Sequence, residues 1–387
     1  MKIMGAERSA EPACSSNARV GQPGSAVHKL LNAGCELECD ELKTQLSEQT
    51  DFTVVGVLGM QGVGKSTIMS LLAGSSWQSE IAHGAPSTHQ QHDGQRMRSG
   101  LLHEPTFAPQ TTEVALRAAH QTEGIDVHVT AERLILLDTQ PMLSASVLLE
   151  SVRRESALPA EVQSHENLVA LQSMRIAMLV LSVCHLVVLV QDSLVDVQWL
   201  RLLRTAETLR HRIPDISVLV TAPAAAGGAI ASDANSAGST PTASALAVGS
   251  EVASPLEYQP QAAFVLNRMA SSAFVEAPRR SLRTLFSKTL AGEALGRPTA
   301  SGLVADAPQV YLLPTRQASS ATSVHRGYQR EAERLRDELL ALPRRHFAKP
   351  LSERDWLRGV VRMWELIRKS QNLSDFNRSN QKLHLYL

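Results

Sequence analysis

The stretch that decides the fold runs from Phe52 to Ala73 and reads FTVVGVLGMQGVGKSTIMSLLA. Its first part, residues 52–58, is a run of apolar and β-branched residues, which is typical of a buried strand. Residues 59–66 match the G-x-x-x-x-G-K-[ST] phosphate loop, and the apolar residues that follow have helical spacing. This order places a helix N-terminus beneath the phosphates of a nucleotide. The stretch therefore predicts a P-loop nucleotide-binding domain.

Each part of the loop has an expected role in holding phosphate. The glycines let backbone N–H groups converge on the phosphate oxygens. Lys65 is expected to reach the β- and γ-phosphates, and the Ser66 hydroxyl is expected to bind Mg²⁺. The predicted nucleotide-binding residues of this segment are Gly59, Gln61, Gly62, Val63, Gly64, Lys65, Ser66 and Thr67.

The composition argues against several other functions. The chain has 387 residues, of which 43% are hydrophobic and 4% aromatic, and its formal net charge is zero. Balanced charge and few aromatic residues argue against an electrostatic footprint or stacking platforms for nucleic acid. We therefore expect no direct sequence-specific nucleic-acid binding.

Cysteine spacing and hydropathy indicate the compartment. The four cysteines lack the paired spacing of a zinc site, which favours buried thiols in a reducing compartment. The N-terminal residues contain no apolar signal core. The apolar run Ile176–Val190 is shorter than the roughly 18 residues of a spanning helix, and it divides naturally into a helix and a strand. We expect a cytoplasmic protein with no membrane segment.

Strand and helix patterns alternate along the chain, which predicts an α/β fold with a mostly parallel sheet and helices on both faces. Nucleotides bind such sheets at the carboxyl ends of the strands. The expected strands are 52–58, 125–130, 133–137, 185–190, 216–220, 262–267 and 310–314. The expected helices are one after the phosphate loop, four others at about 27–48, 163–183, 195–211 and 278–292, and two at the C-terminus.

The expected G-domain-like P-loop domain covers residues 26–375. Residues 1–25 are expected to be a disordered tail, and residues 76–112 and 222–260 disordered insertions, because they are polar or rich in small residues. Residues 376–387 are expected to be a C-terminal tail. The first insertion also contains histidines, but their irregular spacing favours a solvated loop over a metal site. They are His83, His89, His92 and His103.

Two residues are predicted to complete the Mg²⁺ site begun by Ser66. Asp138 follows the strand 133–137, where P-loop proteins carry an acidic residue that holds Mg²⁺. Thr122 directly precedes the second strand, as the switch threonine of a GTPase does, although an ordinary turn threonine is the alternative interpretation. The predicted cofactor is Mg²⁺ with a purine nucleotide, ATP or GTP/GDP.

Two elements of a GTPase are missing from their expected places. The Asp-x-x-Gly pattern is replaced by Asp138-Thr139-Gln140-Pro141, and proline has no N–H to give a γ-phosphate. We assign Gln140 no water-orienting role. Asn-Lys-x-Asp is replaced by a segment in which Asn267 and Arg268 are candidates to line the base pocket but Ala270 cannot accept a hydrogen bond. Guanine selectivity is therefore expected to be poor, and adenine is at least as plausible.

Several segments together resemble one known family. They are residues 54–59 leading into the phosphate loop, QTEGID at 121–126, LDTQP at 137–141, CHLVVLVQD at 184–192 and the run from Trp356 to Ser370. The chain resembles the G-domain-like regulatory subunits of the kinase complex that acts in nonsense-mediated mRNA decay. The resemblance spans about residues 28–375 outside the two insertions. Its most specific part is Asp-Thr-Gln-Pro, which ordinary GTPases do not carry.

The resemblance implies a regulatory role. Members of this family pair through their G-like domain with a larger G-domain-like subunit to form a heterodimer. The pair binds a phosphatidylinositol-3-kinase-related kinase, which it restrains and targets. The family binds nucleotide without evident hydrolysis, so that weak or absent NTPase activity is expected.

Two other functions stay open on the residues. An active switch-type NTPase would couple hydrolysis of ATP or GTP to partner binding. A small-molecule kinase would need a lid of arginines, for which Arg153 and Arg154 are the candidates, and a carboxylate that binds the acceptor.

The C-terminal segment predicts a capped helix. Ser352 lies three residues before Asp355, in the manner of a capping box. An apolar stripe then recurs at helical spacing, and both core packing and a partner-docking face are open interpretations of it. The stripe consists of Trp356, Val360, Trp364 and Ile367.

Overall fold

The computed structural model describes most of the chain outside the N-terminal tail and the two insertions. The described residues are 26–74, 105–154, 158–192, 196–211, 213–221, 258–274, 276–289, 309–315 and 322–384. The predictions of disorder for residues 1–25, and for most of 76–112 and 222–260, lie outside these ranges.

A seven-stranded mixed sheet forms the centre of the fold, with the order β1-β3-β4-β2-β5-β6-β7. Strand β2 pairs in parallel with β4 and β5, and β6 pairs in parallel with β5 and β7. Strand β3 is antiparallel to both β1 and β4. The strands are β1 His28–Leu31, β2 Thr53–Gly59, β3 Ile125–Val129, β4 Leu134–Thr139, β5 Leu186–Gln191, β6 Gln261–Met269 and β7 Gln309–Pro314. The predicted α/β class with a mostly parallel sheet is confirmed.

Helices cover both faces of this sheet. Val54 and Leu58 of β2 lie in a core shared with α5, α6 and α10, whereas Val55 and Val57 lie in a second core under α2 and α9. This division follows from the alternation of side chains along a strand. The helices are α1 Asp40–Gln45, α2 Lys65–Leu72, α3 Thr112–Leu116, α4 Ala145–Arg153, α5 His165–Val183, α6 Val197–Arg210, α7 Ile216–Thr221, α8 Glu276–Thr289, α9 Thr322–Leu340, α10 Glu353–Arg368 and α11 Gln371–His384.

The helix predicted at 27–48 is wrong over most of its length. Strand β1 occupies its start and pairs with β3, and only Asp40–Gln45 is helical. Between them the chain turns at Cys35, whose φ of 58° is incompatible with a continuous right-handed helix. Leu30 and Leu31 are buried in β1, and the local pattern does not reveal the pairing of β1 with β3.

The strand predicted at 216–220 is also wrong, because Ile216–Thr221 is the helix α7. The Asp215 carboxylate accepts hydrogen bonds from the N–H and the hydroxyl of Ser217 and from the N–H of Ala348. Ile216 packs closely on α10, where a Cβ at Gly359 would lie 2.5 Å from its Cγ1. Local capping and tertiary packing here outweigh the strand propensity of β-branched residues.

Among the described residues, three helices follow β7, rather than the expected two. The third, α11, covers most of the segment predicted as a C-terminal tail. Ser352 caps α10, since its Oγ accepts from the N–H of Asp355 at 3.1 Å. The apolar stripe of α10 is 0–1% exposed along its length, so that core packing is confirmed and the docking interpretation of this stripe is wrong.

Helix α5 is long and apolar enough to cross a membrane by length and composition, and 78% of its apolar window is buried inside the protein. It lies between the sheet and the helices α6 and α10. Its apolarity is that of a core helix followed by a buried strand, as the sequence predicted.

Candidate functional site

The phosphate-loop segment connects the carboxyl end of β2 to the first turn of α2. Gly62 and Gly64 have φ values of 73° and 97°, which L side chains rarely adopt. The loop is also tightly enclosed: a Cβ at Gly64 would lie 2.4 Å from Asn267 Nδ2, and one at Gly59 would lie 2.4 Å from the Val190 carbonyl oxygen. The glycines are therefore required by backbone conformation and by close packing.

Lys65 is buried at the N-terminus of α2. Its Nζ donates to the Met60 carbonyl oxygen at 2.9 Å, and burial lowers the pKa of its ammonium to about 8. A poorly solvated cation at a helix N-terminus is stabilised by an anion brought to it. The position suits a phosphate group of a nucleotide.

Three oxygen-bearing side chains, which we call the oxygen cluster, meet beside Lys65. Asp138 Oδ2 accepts from Ser66 Oγ at 2.7 Å and from Thr122 Oγ1 at 2.9 Å, and these two hydroxyls are 3.2 Å apart. Asp138 is completely buried, and its Oδ1 has no hydrogen-bond partner. Burial raises the pKa of this carboxyl to about 6. Hard oxygen donors with one unused carboxylate oxygen fit a Mg²⁺ ion.

Asn267 and Arg268 approach the same loop from the carboxyl end of β6. Asn267 Nδ2 donates to the Val63 carbonyl oxygen, and Arg268 Nη2 donates to the Gly62 carbonyl oxygen, both at 2.8 Å. Arg268 also pairs with Asp192. Its φ of 57° is uncommon outside glycine, and such backbone outliers cluster at functional sites.

Gln140 is locked into the backbone next to the oxygen cluster. Its N–H donates to the Gly124 carbonyl oxygen at 2.8 Å, and its Oε1 accepts from the Gly124 N–H at 2.9 Å. The side chain is 1% exposed. The N–H and Oε1 of Gln140 are therefore committed to Gly124, and the adjacent Pro141 offers no N–H.

The remaining loop residues have structural contacts. Gln61 Nε2 donates to the Ala119 carbonyl oxygen at 3.3 Å, and its Oε1 accepts from the hydroxyl of Ser144, the N-cap of α4. Val63 is buried in the core under α2, and Thr67 is half-buried in the first turn of that helix. Gln61 thus joins the phosphate loop to the segment before β3 and to α4.

Sequence reasoning found the residues that the structure brings together, with two omissions. Ser144 and Asp192 contact the site through Gln61 and Arg268. Asp192 directly follows a parallel strand, and Ser144 directly precedes a helix. These positions are the signals that could have identified the two residues. Ala270 is exposed, and its methyl group can accept no hydrogen bond.

The fold and the site together define a class of protein. It is an α/β protein in which a phosphate-loop segment, a buried lysine and an oxygen cluster meet at the carboxyl edge of a mixed sheet.

The comparisons with known proteins agree with the family resemblance of the motifs. No family model matches the chain. It is 29% identical to the nonsense-mediated mRNA decay factor SMG9 of Salmo salar, over 88% of this chain and 65% of that protein. It is 30% identical to SMG9 of Xenopus laevis, over 88% of this chain and 64% of that protein. The resemblance to SMG9 proteins is confirmed, and the chain spans just under two thirds of the length of these relatives.

Proposed function

We propose that this chain is a nucleotide-binding regulatory subunit of a nonsense-mediated mRNA decay assembly and that its sheet and loop are those of a P-loop, G-domain-like protein. The names of its relatives support a role in nonsense-mediated mRNA decay. The observation that carries nucleotide binding is the convergence of Lys65 with Ser66, Thr122 and Asp138 at the carboxyl edge of the sheet.

Lys65 and the loop N–H groups would hold the phosphates. Ser66, Thr122 and Asp138 would hold Mg²⁺, which neutralises phosphate charge when it is bound. Both buried charges support this role, since Asp138 lacks a partner for Oδ1 and burial lowers the pKa of Lys65. A Mg²⁺–nucleotide complex would satisfy both.

Hydrolysis is proposed to be weak or absent. A working GTPase orients the attacking water and binds the γ-phosphate through a backbone N–H. Gln140 is committed to Gly124, and Pro141 has no N–H. The bound nucleotide would then act as a structural ligand that stabilises the folded subunit by mass action.

Base discrimination is proposed to be weak. Asn267 and Arg268 hold the loop carbonyl oxygens of Val63 and Gly62, and Ala270 provides no acceptor for the guanine edge. A site without that buried acceptor cannot strongly reject adenine. We expect ATP and GTP to bind with affinities within about tenfold of each other.

Pairing with a second, larger G-domain-like subunit is proposed to involve α3 and α4. Leu116 is 83% exposed, and Leu149 and Val152 are 41% and 49% exposed. Gln61 connects the phosphate loop to the N-cap of α4 and to Ala119, three residues after α3, so that nucleotide would set the shape of this surface. Through this pairing the subunit would regulate a phosphatidylinositol-3-kinase-related kinase in the cytoplasm.

A turnover assay separates this function from an active switch-type NTPase. The intact oxygen cluster and Lys65 favour the alternative function of an active switch-type NTPase. We expect the purified protein to show no multiple turnover of ATP or GTP above that of Lys65→Ala. Robust turnover that Lys65→Ala abolishes would replace the structural role with the switch. Equal partner affinity with di- and triphosphate nucleotides would support the structural role.

A further inference from the structure

A cleft beside Leu171 and Arg175 of α5 shares no residue with the phosphate-loop site. This arginine cleft has a volume of about 440 Å³ and is bounded by α5, α10, α11 and the segment 158–163. Three helices each contribute one arginine to it: Arg175 from α5, Arg368 from α10 and Arg378 from α11.

Arg175 has only part of its hydrogen-bonding capacity in use. Its side chain is 11% exposed, and Nη2 pairs with Glu161 Oε1 at 2.7 Å. Its buried Nε has no hydrogen-bond partner. A buried guanidinium with an unused donor is costly unless an acceptor reaches it.

Arg368 is exposed at the end of α10 and makes no hydrogen bond or ion pair with the described part of the chain. Burial raises the pKa of the Cys35 thiol to about 12, although the positive charges of Arg175 and Arg368 lower it. Arg368 and Arg175 line the same cleft. Arg378 pairs with Asp375 on its own helix.

The walls of the cleft are fixed by hydrogen bonds. The Glu161 carbonyl oxygen accepts from Asn377 Nδ2 at 2.7 Å and from Gln381 Nε2 at 2.9 Å, which fastens the segment 158–163 to α11. Leu171 and Leu373 supply the apolar lining. A preformed cleft loses less conformational entropy when a ligand binds.

We propose that the arginine cleft binds a small molecule that carries two or more phosphate or carboxylate groups. Planar guanidinium groups bind both kinds of oxyanion through paired hydrogen bonds. Glu161 and Asp375 each neutralise one arginine, which leaves Arg368 as the excess positive charge. The volume is within the range of sites for small ligands, and the fastened walls suit a compact anion better than an extended acidic peptide. This proposal does not depend on the phosphate loop.

Calorimetric titration of the full chain with citrate, and separately with inorganic pyrophosphate, tests the site. Lys65→Ala is used as the background for pyrophosphate, so that the phosphate loop does not contribute. We expect both anions to bind, and Arg368→Gln to weaken both roughly tenfold or more, because one charge-assisted contact is lost. Arg358→Gln, on an exposed arginine of the same helix, is the matched control and is expected to bind as the parent does.

Arg368→Gln changes an exposed side chain, so that its fold should be retained, which unchanged thermal unfolding would show. Arg175→Gln is a second variant, with an expected loss of similar size. Failure of both anions to bind at about 10 mM, or equal binding by Arg368→Gln and the parent, would overturn the proposal. Binding of a hexaglutamate peptide without binding of citrate or pyrophosphate would also overturn it, in favour of a peptide-binding surface.

Discussion

Asp138 and Glu353 are both completely buried carboxylates, and they differ in how they are satisfied. Glu353 Oε2 accepts from the N–H and hydroxyl of Ser47 at 2.7 and 2.9 Å, and both oxygens pair with Arg133. Asp138 receives hydroxyl donors on Oδ2 alone, and its Oδ1 has no partner.

We interpret Glu353 as a structural charge and Asp138 as the charge of the proposed Mg²⁺ site. Glu353 fastens the first turn of α10 to the start of β4 through Arg133 and to the segment after α1 through Ser47. Its neighbours compensate the cost of burying a charge. Asp138 retains an uncompensated part of that cost in the absence of a ligand, which is the expected state of a site awaiting a cation.

The largest expected effect comes from removing the satisfied carboxylate. Glu353→Ala leaves Arg133 and the Ser47 groups without their acceptor, and we expect it to lower the free energy of unfolding by about 3 kcal/mol. Urea denaturation measures this loss. Glu365→Ala, on an exposed residue of the same helix, is the control, with an expected change below about 0.5 kcal/mol. An equal loss of unfolding free energy in Glu353→Ala and Glu365→Ala would contradict the structural role of Glu353.

Replacing the unsatisfied carboxylate of Asp138 is expected to raise the free energy of unfolding, whereas Glu353→Ala lowers it. Asp138→Asn keeps an acceptor for Ser66 and Thr122 but removes the desolvated charge, so that ligand-free protein at pH 7 should gain about 2 kcal/mol. The folded pKa of about 6 lies above the ordinary value, and this cost therefore appears as pH rises through 4 to 6. Thermal unfolding measures the gain, with Asp51→Asn as an exposed control. A loss of stability would mean that Asp138 is structural.

Acid sensitivity provides a third test, through a buried histidine. His185 Nδ1 accepts the Val54 N–H at 3.0 Å, and burial lowers its pKa to about 4. The unfolded chain takes up this proton near pH 6.5, so that stability falls as pH drops from 6.5 towards 4. Between pH 7.5 and 5, the protonation of His185 in the unfolded chain lowers the free energy of unfolding by about 2 kcal/mol.

Asp138 acts in the opposite direction over the same interval, because its raised pKa favours the folded state in acid. Unfolding measured at both pH values should therefore show a larger acid loss in Asp138→Asn than in the parent. His185→Asn, which keeps an acceptor for Val54, should show a smaller loss. An unchanged pH dependence in His185→Asn would contradict the assigned role.

The site was predictable from sequence to a greater extent than the edges of the fold. The phosphate loop follows one strand and Asp138 lies near the end of another, and the pattern of both strands is local and strong. The geometry of parallel strands brings such ends together. Strand β1 and helix α7 were predicted wrongly, because pairing with β3 and packing against α10 involve residues far away in the chain. The locking of Gln140 by Gly124 is likewise a tertiary contact that no local pattern contains.

The nucleotide content of the purified protein tests the central claim most directly. Nucleotide released on denaturation is identified by mass spectrometry, and thermal unfolding is measured with added Mg²⁺ and ATP or GTP. We expect roughly one purine nucleotide per chain and a rise in melting temperature with added nucleotide, both lost in folded Lys65→Ala. Absence of bound nucleotide, together with no rise in melting temperature with either nucleotide, would contradict the assignment of this edge of the sheet as a nucleotide site.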